Sequence, residues 1–221
     1  MVAPDLVSEE DIAKLTIPDD LPDEESMFKA YIEAKVYDRE GHLIQYHRQP
    51  MRSLTQYFLA FISIALLGTY SSSSSTTAQP LLTNVLGMPS SQSSNGSADI
   101  GYSWSIQLGS GTQSFSPTLN SLAAPIANGS GAGQLSYGNT IVSYSGLTIN
   151  VSVTVTNYSS TTINVTEIGL IGSIILESET SSGTYASTGF TFLFSYDTFS
   201  PAVTLPPGAI ATFQIVLSFS G

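Results

Sequence analysis

The chain has 221 residues, of which 42% are hydrophobic, and this is enough for one sizeable domain with appendages. Its formal net charge of −11 argues against a nucleic-acid partner, because binding to phosphates needs a basic surface. The absence of cysteine excludes a disulfide framework and any cysteine-based metal site.

The charges are unevenly divided along the sequence. All six Lys and Arg residues precede position 53: Lys14, Lys29, Lys35, Arg39, Arg48 and Arg52. After them only five acids occur: Asp99, Glu167, Glu177, Glu179 and Asp197. A globular domain usually keeps about a quarter of its residues charged. The second part of the chain instead offers Ser, Thr, Asn, Gly and Tyr, a surface that favours packing against copies of itself.

The first part of the chain divides into an arm and a hairpin. Residues 1–26 are acidic and are interrupted by Pro18 and Pro22, which predicts an extended arm and no signal peptide. Residues 27–49 predict a β-hairpin, because FKAYIEAKV alternates apolar and polar residues and DREG supplies a turn.

An apolar helix is predicted over 53–68, with Ser53 as its N-cap and Gly68 as its C-cap. Its apolar run YFLAFISIALL is about half of the ~20 residues that cross a bilayer, which favours a buried or interfacial helix. Contact of residues 54–67 with lipid is the alternative. Residues 69–100 form a Ser/Thr-rich linker.

Residues 101–221 predict an antiparallel β-sandwich, jelly-roll-like in character, so that the whole chain is mainly β. The candidate strands are short, rich in Val, Ile, Thr, Tyr and Phe, and separated by turn residues. They cover 102–108, 134–137, 140–144, 147–156, 162–171, 173–176, 190–195, 202–205 and 209–218.

Five motifs follow one another along residues 27–221. They are SLTQYFLAF in the helix, GSGT at 109–112, GQLSYG at 133–138, VTVTNYSSTTINVTEIGL at 153–170 and PPGAIATFQIVLSF at 206–219. In this order they resemble a family of virion-associated β-sandwich proteins of tailed phages and archaeal viruses. That family carries an Arg in the long strand before Asn157, where this chain has VTVT. The cation-free, Ser/Thr-rich surface is most similar to proteins of hyperthermophilic archaeal viruses, including spindle-shaped ones.

The resemblance implies a virion structural protein, without catalytic or cofactor-binding residues, in an extracellular particle. The expected assembly is a homo-oligomeric ring or a vertex or tail structure: an adaptor, a nozzle or a penton-like ring. Expected partners are copies of the chain, other virion proteins and viral lipid at the 54–67 helix. On this interpretation residues 1–52 connect subunits, so their deletion should leave a folded β domain that no longer assembles. The interface candidates are apolar: Phe28, Ile32, Val36, Leu54, Tyr57, Phe58, Phe61, Ile62 and Leu66.

Glu167 is the acid that most needs an explanation, because it lies in an apolar strand where an unpaired charge is costly. One interpretation is a structural anchor that accepts backbone N–H groups, or that pairs with a cation from residues 1–52 or from a neighbouring subunit. The alternative is a solvated residue on the outer face of the strand.

The other titratable residues have simpler interpretations. Glu177 and Glu179, about 7 Å apart on one strand face, have the spacing of a glycosidase pair, but a solvated strand end is expected. Asp99 and Asp197 are expected in turns, and no metal site is expected. The two histidines lie on opposite faces of the return strand of the hairpin and are expected to be structural: His42 and His47.

Five Asn-x-Ser/Thr sequons are candidates for glycosylation in an archaeal or eukaryotic host. They are Asn95, Asn128, Asn150, Asn157 and Asn164. Two other functions stay open. A secreted or pilus-type surface subunit would be cleaved just before the apolar helix, and a glycan-binding host-attachment module would use Trp104 and exposed tyrosines.

Overall fold

The protein is mainly β, and the strands in the described part of the chain pair antiparallel. A computed structural model describes residues 28–59, 99–179 and 185–219, with the backbone alone for 99–102, 174–179 and 185–190. The predicted arm lies outside these ranges, as does nearly all of the predicted linker. The strands are β1 (Phe28–Tyr37), β2 (Leu43–Pro50), β3 (Asp99–Gly109), β4 (Ser136–Tyr137), β5 (Ile141–Ser145), β6 (Thr148–Thr156), β7 (Ile163–Glu179), β8 (Tyr185–Leu205) and β9 (Ile210–Phe219).

Two antiparallel sheets share one hydrophobic core, an arrangement consistent with a β-sandwich. The first sheet has the order β2-β1-β9-β6, and both β4 and β5 pair with the far edge of β6. The second sheet has the order β3-β7-β8. Their inner faces meet in residues such as Phe213 and Leu170, which are fully buried.

The period-two pattern of the sequence is realised in the buried faces. In β6, Val151, Val153 and Val155 are buried, and the residues between them are at least partly exposed. The same alternation in β9 buries Ala211, Phe213 and Ile215 against them. Burial of these branched and aromatic side chains stabilises the sandwich by about 25 cal/mol per Å² of apolar surface.

The predicted hairpin of residues 27–49 forms as β1 and β2, but it is not a separate element. β1 pairs with β9 along its whole length, from Phe28↔Phe219 to Tyr37↔Ile210. Its inward residues Ile32, Ala34 and Val36 belong to the core. Deletion of residues 1–52 would therefore remove an internal strand of the sheet, and we now expect this truncation to destabilise the β domain.

Two pairs of predicted strands are continuous in the structure. The candidates 162–171 and 173–176 merge into β7, and the candidates 190–195 and 202–205 lie within β8. The pairing between β7 and β8 changes register between Val165 and Glu167 and again between Leu170 and Ile171. Such bulges bend and twist a strand without ending it, which explains why the sequence pattern breaks where the strand continues.

Of the predicted helix 53–68, the structure describes residues 53–59, with helical backbone over 56–59. Thr55 and Phe58 are buried, and Phe58 packs edge-on against Phe194. The beginning of this segment is thus covered by the second sheet. No helix in the described ranges is long and apolar enough to span a membrane.

Candidate functional site

A buried carboxylate organises the loop between β3 and β4. Glu167, on β7, has no exposed surface. Its two oxygens accept the backbone N–H groups of Ala123, at 2.8 Å, and Ala124, at 3.1 Å. Hydrogen bonds to a charged acceptor are stronger than neutral ones and replace the water that the carboxylate loses on burial. Glu167 therefore fixes a distant loop to the second sheet.

Two glycines of the GSGT motif make room for this carboxylate. A Cβ atom at Gly111 would lie 2.6 Å from Glu167 Oε1, and one at Gly109 would lie 3.0 Å from the same atom. Neither glycine has a positive φ, so the reason for glycine is space and not backbone conformation. The Thr166 hydroxyl also donates to the Gly111 carbonyl. The motif thus wraps around Glu167.

The anchor interpretation of Glu167 is the one that the structure shows. The solvated alternative is wrong, because the side chain is buried. Within the described ranges no ion pair involves Glu167, and backbone N–H groups are hydrogen-bonded to both of its oxygens. The sequence alone did not reveal these donors, which lie more than forty positions away in a loop.

Tyr196 holds the same loop at a second point, a role that no sequence pattern indicated. Its hydroxyl donates to the Gln113 carbonyl at 3.0 Å and accepts the Gln113 N–H at 2.9 Å. Burial, followed by the nearby negative charge of Glu167, raises the pKa of Tyr196. Leu122 packs with Tyr196 and Leu193 in a small apolar cluster beneath the loop.

A second buried carboxylate lies where the hairpin leads into the helical turn. Asp197 is 7% exposed and belongs to β8, so its predicted turn role is wrong. Its Oδ1 accepts the Arg52 N–H at 3.2 Å, whereas its buried Oδ2 has no hydrogen-bond partner in the described part of the chain. Burial raises the pKa of Asp197 to about 7, against the opposing effects of the Arg52 and Ser53 N–H groups and the Arg52 charge.

The segment next to Asp197 runs along the edge of β8 as a strap. The Thr55 N–H donates to the Phe194 carbonyl at 2.9 Å, and the Tyr196 N–H donates to the Ser53 carbonyl at 3.1 Å. The buried Thr55 hydroxyl donates to the carbonyl of Leu193. These bonds fix the direction in which the chain enters the helical turn.

The histidines occupy structural positions. His42 lies in the exposed hairpin turn, where its N–H and its Nδ1 both contact the Asp38 carboxylate, at 2.8 and 3.1 Å. Asp38, Glu40 and His42 place potential metal-ligand atoms within 4.8 Å of one another. The turn's own hydrogen bonds account for that proximity. His47 contacts the Gln49 side chain and packs edge-on against Phe199.

The other two acids of interest lie at a strand end. Glu177 and Glu179 belong to the last residues of β7, where the structure describes the backbone alone. Asp99, expected in a turn, instead begins β3 and is in register with Glu177.

The sequons differ in accessibility. Asn157 is fully buried, and its amide donates to the carbonyls of Thr161, Leu205 and Pro206, so this sequon is not accessible in the folded chain. Asn128 and Asn164 are exposed. Asn150 is half-buried and accepts a hydrogen bond from the Gln214 side chain at 3.0 Å. Asn95 lies outside the described residues.

Three of the predicted interface residues are in the chain's own core. Ile32, Val36 and Phe58 are no more than 4% exposed, so they cannot contact a neighbouring subunit in this fold. The partly buried residues Phe28, Leu54 and Tyr57 pack against the core. The remaining candidates lie outside the described residues: Phe61, Ile62 and Leu66.

An exposed apolar surface lies elsewhere, on the hairpin of β5 and β6. All five residues of β5 are exposed, including Ile141 at 64%, and Leu147 in the turn is 59% exposed. The strand was predicted, but its alternation gave no sign that both of its faces would be open to solvent.

The fold and these sites define a mainly β protein whose loops are anchored by buried carboxylates. Comparison with known protein families, with curated proteins and with solved structures finds no match to this chain.

Proposed function

We propose that this chain is a virion structural protein that forms a homo-oligomeric ring, or a vertex or tail assembly, of an archaeal virus. Such an assembly would take the form of an adaptor, a nozzle or a penton-like ring. Its partners in the particle are copies of itself and other virion proteins. Viral lipid would be contacted by the part of residues 54–67 that follows the buried Phe58.

The open edge of β5 is the observation that carries the proposal. Within the described ranges β5 pairs only with β6, which leaves the backbone groups of its other edge available to another strand. Monomeric proteins usually protect such an edge with Lys, Pro or a bulge. Here β5 reads IVSYS, and no Lys or Arg follows Arg52 anywhere in the sequence. An uncharged edge with exposed Ile141 supports strand pairing with a second copy.

Two further observations support the viral and jelly-roll parts of the proposal. The order of the motifs from GSGT to PPGAIATFQIVLSF resembles that of virion-associated β-sandwich proteins. The fold brings two of these motifs together, because Gly109 and Gly111 of GSGT lie against Glu167. The first strand of the sandwich, β1, pairs with the last, β9, which brings the two ends of the β region together in one sheet.

The other two functions receive less support from the structure. Cleavage before the helix, as in a pilus-type subunit, would remove β1 from the centre of its sheet. A glycan-binding surface would use Trp104 and exposed tyrosines. Tyr144 and Tyr158 are exposed, but Trp104 is half-buried and packs edge-on against Phe194 at 6.2 Å.

The mass of the full-length chain in solution tests the proposal. We expect a closed oligomer by light scattering and a ring in electron micrographs, and we expect Ile141→Lys to reduce the mass because it places a charge on the β5 edge. Tyr158→Lys, at a position that is 66% exposed outside β5, is the matched control and should assemble normally. A chain that stays monomeric at high concentration, or an oligomer that Ile141→Lys leaves intact, would refute the proposal.

A further inference from the structure

The strap that follows β2, residues 52–55, covers one edge of the second sheet. The Tyr196 N–H on β8 donates to the Ser53 carbonyl at 3.1 Å. Two residues further along the strap, the Thr55 N–H donates to the Phe194 carbonyl at 2.9 Å. β8 is the last strand of its sheet in the described ranges, so the strap occupies backbone groups of an edge that would otherwise be open.

The strap is attached to β8 less firmly than β7 is. β7 pairs with β8 along nearly its whole length, whereas the strap forms one isolated bridge with it, between Leu54 and Ser195. Arg52 is exposed, and Ser53 and Leu54 are partly exposed. Segments with few buried contacts are the ones that open locally in a folded protein. Detaching the strap therefore requires less free energy than opening the sheet.

Asp197 places a carboxyl group under this strap. Its side chain is 7% exposed, and its Oδ1 accepts the Arg52 N–H at 3.2 Å. Its Oδ2 is buried and has no hydrogen-bond partner in the described part of the chain. A protonated carboxyl group is neutral, whereas ionisation leaves a charge on a buried oxygen that accepts no hydrogen bond, which is costly. Ionisation therefore favours a movement that admits water to Oδ2.

The elements packed around Asp197 carry other titratable groups. They are Arg52 on the strap, Tyr196 on β8, Glu167 on β7 beside the register partner of Asp197, and His47 on β2 against Phe199. No ion pair connects Asp197 with a cation within the ranges 28–59, 99–179 and 185–219. Burial raises the pKa of Asp197 to about 7, although the Arg52 charge opposes this rise.

We propose that the strap is a pH-released cover of the β8 edge, closed while Asp197 is protonated and opened by its ionisation. Opening lets water reach Oδ2 and breaks the bonds of Thr55, whose buried hydroxyl donates to the Leu193 carbonyl in the closed form. The closed form has a pKa of about 7 and a hydrated Asp one of 3.8, so the open fraction rises with pH between these values. This device goes beyond the proposed assembly role and does not depend on it.

Amide hydrogen exchange of the full-length chain, measured by NMR, tests the cover. The protection factor of the Thr55 N–H should fall by about tenfold per pH unit between pH 4 and 7 and level off above 7. The control is the N–H of Phe213 on β9, which has a strand on each side. It should be better protected than Thr55 at every pH, because it exchanges only when the sheet opens. Equal protection of the two amides would overturn the proposal, since the strap would then open only with the whole fold.

Two substitutions separate the carboxyl group from the other bonds of the strap. Asp197→Asn keeps the size of the side chain and an oxygen acceptor for the Arg52 N–H, and it should remove the pH dependence of Thr55 protection. Thr55→Val removes the hydroxyl bond and should lower the protection of the Tyr196 N–H by the same factor at every pH. The proposal is wrong if Asp197→Asn follows the wild-type profile, or if Thr55→Val leaves the protection of Tyr196 unchanged.

A third substitution keeps the test decisive if the thermal melt shows that Asp197→Asn does not fold. Arg52→Gln removes an exposed positive charge that lowers the pKa of Asp197, and it retains the backbone N–H that Oδ1 accepts. At low salt, where charges are least screened, it should move the levelling-off of Thr55 protection to higher pH. A profile identical to that of the wild type would overturn the proposal.

Discussion

Glu167 shows how a carboxylate can be buried without a cation. Two backbone N–H groups replace its water shell, and the two small glycines let them approach. The buried Asp197 carboxylate has fewer hydrogen bonds to replace its water, because only one of its oxygens is hydrogen-bonded among the described residues. We therefore expect the charged form of Glu167 to be compatible with the folded state, and the charged form of Asp197 to destabilise it.

A double-mutant cycle tests the fit between Gly111 and Glu167. Gly111→Ala should destabilise the protein by about 1–3 kcal/mol, because its Cβ would collide with the carboxylate. Glu167→Ala should cost about 1–3 kcal/mol or more, because two N–H groups lose their acceptor. The double variant should lose less than the sum, because the shortest contact of the new Cβ, with Glu167 Oε1, disappears with the carboxylate. Urea unfolding measures the free energy of unfolding of each variant, with Ser110→Ala as the control. Strict additivity of the two single changes would contradict a close fit between Gly111 and Glu167.

The pKa of Asp197 predicts a pH dependence of stability. Its folded-state value is raised to about 7 from 3.8, so the stabilising state is the protonated one. That contribution is complete below about pH 4 and is lost as the pH rises through 7, at up to about 1.4 kcal/mol per unit. Asp197→Asn should flatten this decline in thermal melts between pH 4 and 8. Glu40→Gln, in the exposed hairpin turn, is the control. The prediction would be contradicted if the melting temperatures of Asp197→Asn and of the wild type changed with pH in parallel.

Among the elements, those with a clean period of two were predictable from sequence. β6 and β9 appear within about two residues of their expected limits, because both bury one face and expose the other. The hairpin was predictable, but its partner was not: β1 pairs with the strand at the opposite end of the sequence, and local periodicity does not specify distant pairing. The Glu167 anchor was foreseen as a possibility, whereas its donors in the loop and the role of Tyr196 depend on tertiary structure.

The central position of β1 gives a prediction at the level of the element. Val36→Asp places a charge in the core and should abolish the cooperative thermal transition, since burial of an unpaired carboxylate costs several kcal/mol. Lys29→Asp introduces the same side chain into the same strand at a partly exposed position and should melt cooperatively. Circular dichroism distinguishes the two outcomes. A cooperative melt of Val36→Asp would mean that β1 is dispensable.

At the scale of the whole molecule, the cations are concentrated on the hairpin. Lys35 pairs with Glu33 at 3.1 Å, and Arg48 lies over the ring of Tyr31 at 4.1 Å. These charges are engaged within the hairpin itself, and the expected division into a charged connector and a neutral body does not follow the fold. The charged hairpin shares one sheet with the cation-free strands β9 and β6.

Self-association through the neutral β5 edge would respond weakly to salt. Ion pairs between exposed groups are screened within about 10 Å at 0.1 M salt, whereas apolar contacts and backbone hydrogen bonds are not. We expect the oligomer mass to be the same in 0.1 M and 1 M NaCl by analytical ultracentrifugation. Dissociation at high salt would point to an ionic interface on the β1–β2 hairpin.

The position of the cations also determines where trypsin can cut. This protease cleaves after Lys and Arg, so residues 53–221 contain no site. Of the six sites, Arg39 lies in the exposed hairpin turn, and exposed turns are the preferred places for cleavage. A cut there would separate β1 from β2 in the covalent chain, but β1 would stay paired with β9 from Phe28 to Tyr37. The folded protein would then persist as two pieces, which makes this turn the natural place to insert a tag or to open new chain ends.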